Sequence, residues 1–559
     1  MATRYWVGGT GTWDASDTTH WAATSNGTPG ASVPGSSDAV IFDANSGSGT
    51  ITLGYSPEVQ TVTMTGYTGT FDGVGSTYTI TLNSTSTVWA GAGTISNSPN
   101  ITLSNTSTSV RTFSGGGKTY GKLIIGGATG SSLLTINGVN TFSEIASTKT
   151  VAHTISFGGD QTIGTWSVTG SSGNVVTVQS SSVGTARTIT VTNRTSGIDY
   201  LKISSTLSNQ APVTFYAGAN SQLGFSVRGV AAKAPVTDEY IYVLSSGTSW
   251  TVPANWNNSN NEIHLFGGGG GGAGSIFTTP NGGGGGAGGG GGYTKLTNQT
   301  LSGTVSYTIG SFGSGGSGNG TAGGNTTWNS GASSANGGGG GTRSVTAPVG
   351  GTGGTGSTYN GGTGGSGSTS TVANTGNGGG GGAGAGGPLG TGGNGGNGFA
   401  STTAGNVAGG GGGGNGGGSA GGNGSSGTQG TGGNNNAGVG GGTSPYNGGG
   451  SSGGNNRASA GIDIANAGMG GGGGAGGGST VNQVQGGGFF GAGGGGSALS
   501  TANSTGSGGS GASGGIIIVY NTGSTPTRNI YLGSTNINSI YYGSTPVSAV
   551  YYGSTKVFG

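Results

Sequence analysis

The chain has 559 residues, no cysteine, 5% charged residues and a formal net charge of +2. Disulfides and thiolate metal sites are therefore excluded, and so weak a charge excludes electrostatic recognition of nucleic acid or of an acidic membrane as the basis of function. The length allows about three or four domains, whose stability must come from backbone hydrogen bonding and oligomerisation.

Residues 1–44 read as an N-terminal cap region. Trp6, Trp13 and Trp21 stand among glycines ahead of Val40-Ile41-Phe42, and are expected to form an aromatic cluster closing one end of the next domain, with carbohydrate stacking as the alternative. The first residues, Met1 to Gly9, carry no basic n-region followed by an apolar h-region, so no Sec export is expected. No apolar run reaches the length of about 18 residues that a membrane span requires.

From 45 to 236, short apolar alternations recur between Gly, Asn and Ser: Thr61-Val-Thr-Met64, Tyr78-Thr-Ile-Thr-Leu82, Ile101-Thr-Leu103, Leu123-Ile-Ile125, Leu133-Leu-Thr-Ile136, Ile155-Ser-Phe157, Val175-Val-Thr-Val178, Ile189-Thr-Val191 and Tyr200-Leu-Lys-Ile203. Several neighbours lie roughly 20 residues apart, the length of one solenoid rung. A parallel β-solenoid is the favoured fold, its Thr residues facing solvent on flat ladders. A β-sandwich is the alternative, because spacings of roughly 11 to 13 residues also occur.

Residues 237–522 hold most of the glycine, in runs such as Gly267–Gly272, Gly282–Gly286, Gly337–Gly341, Gly378–Gly382, Gly409–Gly414, Gly470–Gly474 and Gly493–Gly496. Between Phe266 and Tyr520 the charged residues are Lys295, Arg343, Arg457 and Asp463. Such a block builds no side-chain core. One reading is a flexible linker; the other is a bundle of extended rods packed so closely that only glycine fits between them, as at the collagen axis, though the strict Gly-X-Y period of collagen is absent. The flanks favour order. Trp250-Thr-Val-Pro253, Glu262-Ile-His-Leu-Phe266 and Gly515-Ile-Ile-Ile-Val-Tyr520 read as strands, and a linker has no use for strands at both ends.

Residues 523–559 contain three ten-residue units, Asn529 to Ile537, Ser539 to Val547 and Ala549 to Val557, each read as strand, Gly-Ser-Thr turn and strand. They are too short to bury much surface alone. A subunit contact is expected there, with a homotrimer favoured and attachment to another protein as the alternative.

The Trp-Thr-Val-Pro entry, the Phe-Gly-Gly-Gly-Gly opening and the Gly-Ile-Ile-Ile-Val-Tyr exit resemble the glycine-rich domain of bacteriophage tail fibres and tail-tip adhesins. Ile198-Asp-Tyr-Leu-Lys-Ile203 followed by Phe215-Tyr-Ala-Gly-Ala-Asn220 is similar to solenoid segments of phage and bacterial surface proteins, and the Tyr-Tyr-Gly-Ser-Thr units resemble C-terminal tails of phage structural proteins. The resemblance implies an all-β chain with packed polyglycine II helices after the solenoid, and a non-enzymatic virion protein made in the host cytoplasm that binds a host surface receptor, protein or glycan, and other virion proteins. A structural or decoration protein of the capsid or tail is the alternative. No cofactor, nucleic-acid partner or membrane insertion is implied.

Glycine rods carry no side chains, so receptor contact is expected at their tips, on Trp328, Tyr359, Phe399 and Tyr446, each of which could instead plug a rod end. Aromatic rings beside short polar residues suit adaptable contact loops. In the tail, Tyr531, Tyr541, Tyr542, Tyr551 and Tyr552 are candidates for assembly or glycan contact. His20, His153 and His264 are too far apart to read as metal ligands and are expected on the surface or in strands. Glu58, Asp72, Glu144, Asp160 and Asp199 are scattered and mostly beside glycine, which suits turns better than paired acid–base chemistry.

Overall fold

A computed structural model describes residues 2–431 except 92, 128–129, 131, 183–184, 205, 208–211, 224–226, 228, 232–233, 236–237, 279–280, 372–376, 401–408, 415 and 426–429; it then describes 490–497 and 506–522, and the backbone alone of strand segments at 206–207 and between 530 and 558.

Strands that alternate small polar and apolar residues pair in parallel with the strands one rung away, which makes the first half of the chain a β-solenoid and rules out the sandwich. One sheet has 11 strands and another eight, with a third sheet of four beside the early rungs. Thr50–Leu53, Thr79–Leu82 and Asn100–Leu103 each bury their Ile and Leu and leave Thr or Asn half-buried, as period-two alternation on a closed coil requires. Columns of like residues result: Ile101, Leu123, Ile145 and Trp166 on one face, and Trp89, Phe113, Ile136 and Phe157 on another. The shorter spacings that kept a sandwich open are the steps from one face of the coil to the next, from Leu133–Asn137 to Asn140–Ser147, after which His153–Phe157 returns to the first face one rung on.

The N-terminal segment is the first rung of this coil. Thr3–Trp6 pairs in parallel with Ala39–Ile41, and Trp21–Ala22 closes the edge of the sheet antiparallel to it. Trp6, Trp13, Trp21 and Phe42 are fully buried, with edge-on ring pairs at 5.1 Å for Trp6–Trp21 and 5.4 Å for Trp13–Trp21. The rings fill the end of the coil and present no face to a sugar.

The last rungs lean on a second unit. Val213, Tyr216 and Ala231 share a core with Ile241, Phe266, Tyr293, Phe490, Ile517 and Val519. These last belong to or adjoin an antiparallel sheet ordered Glu239–Leu244, Gly515–Asn521, Asn261–Phe266, Tyr293–Thr297. Its opposite face packs Ile263, Leu265, Ile516 and Ile518 against Trp250, Val305, Tyr307 and Trp328 of a second four-stranded sheet. Covered on both sides, the central strand reads as an unbroken apolar run. Phe266 sits opposite Gly515, so the chain enters the glycine block and leaves it side by side.

Beyond this sheet the glycine runs bond to one another in a strict rotation. Gly267, Gly270 and Ala273 donate backbone N–H groups to the carbonyls of Gly292, Gly289 and Gly286; Gly268, Gly271 and Gly274 donate to Gly324, Thr321 and Gly318; Gly269, Gly272 and Ser275 donate to Ala512, Gly509 and Gly506. Each third residue returns to the same neighbour, so the backbone turns once per three residues. The run 284–292 repeats the pattern toward 362–368, 491–497 and 336–342, while accepting from 267–273, 351–354 and 380–386. Six neighbours surround it. A Cβ built on Gly270, Gly288 or Gly380 falls against a carbonyl oxygen of the next rod, and Ala273, Ala287, Ala383 and Ala385 are fully buried at the few positions where a methyl group fits.

The tail forms three antiparallel hairpins, Ile530–Leu532 with Thr535–Ile537, Tyr541–Tyr542 with Thr545–Pro546, and Val550–Tyr552 with Thr555–Phe558.

Gly380 lies inside the lattice with its Cβ direction blocked by the Gly365 carbonyl. Gly380→Val is expected to abolish protease resistance of the glycine block, whereas Thr355→Val, on an exposed side chain, leaves it intact. Limited proteolysis of the two variants checks this, and equal tolerance would contradict close rod packing.

Candidate functional site: the two ends of the rods

Because the rods run antiparallel to many of their neighbours, the chain reverses at two levels. One level adjoins the sheet: Tyr293 donates its N–H to the Tyr359 carbonyl, and Gly292 to that of Asn336. The other is reached through Gly284, which donates to Ser368, Ser368 to Gly378 and Gly378 to Phe399. Eight residues of rod separate the levels, roughly 25 Å at about 3.1 Å per residue.

The predicted contact residues are thus not brought together. Trp328 is at neither tip: it is 1% exposed, in the core between Trp250 and Tyr307 at ring distances of 6.0 and 6.2 Å. Its strand, Thr326–Trp328, belongs to the second sheet, and the ring packs between the two sheets. Tyr359 is 37% exposed at the near level, 6.4 Å from the Tyr293 ring. Phe399 is half-buried at the far level. Tyr446 lies outside the described residues, as do the side chains of Tyr531, Tyr541, Tyr542, Tyr551 and Tyr552, whose backbones lie in the hairpin strands.

The far end is built by turns that leave the lattice. Ile276–Thr278, Asn281–Gly283 and Thr369–Ser370 form a small antiparallel sheet there, on which Ile276 and Phe277 are half-buried. The loop from Arg343 to Pro348 is shaped by the Ser344 hydroxyl, which accepts from the N–H groups of Thr346 and Ala347 at 3.1 and 3.0 Å. Arg343 Nε donates to the Ser275 carbonyl at 2.9 Å, placing a guanidinium beside Ile276. Val349 is 52% exposed at the start of the returning rod. Ile276, Phe277 and Val349 were not among the residues singled out from the sequence; for the first two the signal was an apolar doublet just beyond the end of a glycine run, where a rod must turn.

At the near end a chain of polar contacts runs from buried Tyr293 and His264 to half-exposed Glu262 and Lys295. His264 is fully buried; its Nδ1 lies 2.7 Å from the Tyr293 hydroxyl, and its Nε2 lies 3.3 Å from Glu262 Oε2, off the line of a hydrogen bond. Lys295 Nζ is 2.8 Å from Glu262 Oε1. The imidazole beside it and then Lys295 hold the Glu262 carboxyl down at about 2, while burial pushes the His264 pKa below its ordinary value and the Tyr293 pKa above. With Nε2 protonated toward the carboxylate, Nδ1 accepts from the Tyr293 O–H. Both rings are sealed from solvent, so the chain of contacts fixes the strand that begins where a rod ends.

The solenoid acids are each occupied separately. Glu144 pairs with Lys122 at 3.0 Å from mid-strand, not from a turn. Asp72 accepts from the Val74 N–H, Asp160 from Thr188 and Asp199 from Asn220. Among the described residues no three His, Asp or Glu gather as a metal-binding group. His153, in a strand, is buried with Nδ1 2.9 Å from the Val151 carbonyl and Nε2 3.0 Å from the Ser147 hydroxyl. Neither a protein-family model nor a curated protein matches the chain.

Burial lowers the pKa of both His153 and His264. The unfolded chain then binds more protons below about pH 6.5, so this contribution to stability is complete above that pH and is lost as pH falls toward the folded values, by at most about 1.4 kcal/mol per pH unit for each histidine. Thermal unfolding from pH 7.5 to 5 is expected to show Tm falling below about 6.5, with a shallower fall in His264→Gln. A flat profile in the parent protein would contradict this.

Proposed function

We propose that the chain is a bacteriophage virion protein of the tail-fibre or tail-tip adhesin type, in which the glycine rods are polyglycine II helices and the far end meets a host surface receptor. The observation that carries this reading is the sorting of the block into a side-chain-poor lattice and a far level that carries Ile276, Phe277, Arg343 and Phe399. A lattice bonded through its own backbone holds those loops rigidly, which lowers the ordering cost of binding. Partly exposed aromatic and aliphatic groups with one guanidinium, among Ser and Thr, suit a neutral protein or glycan surface. Catalysis is not part of the reading.

Purified protein is expected to adsorb to cells of the susceptible bacterium and to block infection by the parent phage. The double substitution Phe277→Ser/Phe399→Ser should lower adsorption at least tenfold while leaving protease resistance unchanged. Absence of adsorption by correctly folded parent protein would overturn the receptor role and leave the capsid or tail decoration reading.

Assembly through residues 523–559, with three chains per particle, belongs to the same proposal. A two-stranded hairpin is marginal alone in water, and the tail consists of three. Truncation after Ser524 is expected to reduce the mass seen by light scattering to that of a single chain; an unchanged mass would place the subunit contact elsewhere.

A further inference from the structure

A rod at the surface of the lattice has one row of N–H groups with no rod to receive them, one per three residues. On the described outer layer five of these N–H groups are received by asparagine side chains. Thr363 N–H donates to Asn394 Oδ1 at 2.8 Å and Ser366 N–H to Asn397 Oδ1 at 2.8 Å. Asn397 N–H in turn donates to Asn423 Oδ1 at 2.8 Å. On the other side of the layer, Gly337 N–H donates to Asn325 Oδ1 at 3.0 Å and Arg343 N–H to Asn319 Oδ1 at 2.7 Å. In each case the amide oxygen comes from the adjacent rod of the same layer, and all five asparagines are exposed.

The sequence repeats that place them are local. Gly392-Gly-Asn394-Gly-Gly-Asn397-Gly398 has the lattice period of three, as does the spacing Asn319, Ala322, Asn325. Threonine takes equivalent outward positions at 352, 355 and 363, but an amide carbonyl one bond further out is the side-chain group closest in shape and polarity to the backbone carbonyl of a missing rod. The layer would otherwise be an open edge of the kind that recruits further chain in β-sheets. Two properties make a second copy of this chain the partner such an edge fits: its own outer rods carry the same three-residue repeat, and no like charges hold two such faces apart, since Arg343 is the one ionised residue from 310 to 425.

We propose that Asn319, Asn325, Asn394, Asn397 and Asn423 terminate the glycine lattice, each supplying the acceptor that a rod of another copy would supply, and so close this face to self-association. The proposal is independent of receptor binding.

The test uses the full chain with Asn394→Ala/Asn397→Ala, and Asn394→Asp/Asn397→Asp as the companion that keeps an acceptor oxygen and adds repulsion. Hydrogen exchange at the Thr363 and Ser366 amides should quicken at least tenfold in the alanine variant and remain within about twofold of the parent in the aspartate variant. Light scattering should show the mass of the alanine variant rising with concentration above the parent's, and the aspartate variant matching the parent. Unchanged exchange in the alanine variant overturns the capping; faster exchange with unchanged mass overturns the closure; an aspartate variant that exchanges or associates like the alanine variant overturns both. If the alanine pair fails to fold, the single change Asn397→Ala read at the Ser366 amide and by the same scattering series decides by the same criteria.

Discussion

The described glycine block depends on one backbone hydrogen bond repeated every third residue in three directions. It forms only where rods approach so closely that a Cβ would strike a neighbouring carbonyl, as at Gly270, Gly288 and Gly380. Glycine is therefore the residue the lattice requires, and the entropy lost on ordering it is offset by bonding N–H groups along the interior rods. Side-chain burial contributes almost nothing there: beyond the sheets the interior holds scattered alanines and little else apolar.

The solenoid solves the same problem by other means. Its rungs also bond backbone to backbone, but at strand spacing, which leaves room for a filled core of Ile, Val, Leu and stacked aromatics. The two regimes meet at the sheet around Gly515–Asn521, which is covered by solenoid residues on one face and by Trp250, Tyr307 and Trp328 on the other. The contacts of buried His264 with Glu262 and Tyr293 sit at that junction. They hold the strand to which a rod returns in register with the strand from which the first rod departs.

Edges are handled differently at each boundary. The solenoid ends in an antiparallel strand and a plug of tryptophans. The lattice ends in asparagine amides that stand in for absent carbonyls. At the far end the chain leaves the lattice through turns, and there side chains of mixed character reach the surface. The lattice is thus built largely by residues that lack side chains, and the bulky side chains of this block are carried by its turns.

Much of this was legible in the residues alone. Period-two alternation at rung spacing located strands such as Thr79–Leu82, Asn100–Leu103 and Leu133–Asn137, because one face of each must be buried, but passed over Arg111–Ser114, Asn140–Ser147 and Gln161–Ser167; strands flanking the glycine runs pointed to order, because strands need partners. The locations of the aromatic rings were not legible. Trp328 and Phe399 both follow glycine-rich segments and precede short polar residues, yet one is core and the other lies at the far level, since which end of the bundle a turn occupies depends on counting reversals of an antiparallel chain. The asparagine caps were missed although their three-residue spacing is in plain sight: alone it gives a period, and only the tertiary structure shows which row of each rod lacks a neighbour. Sequence determined that glycine would pack backbone on backbone. Tertiary structure decided which backbone lies outermost, because a rod whose residues nearly all lack side chains carries no inside or outside of its own.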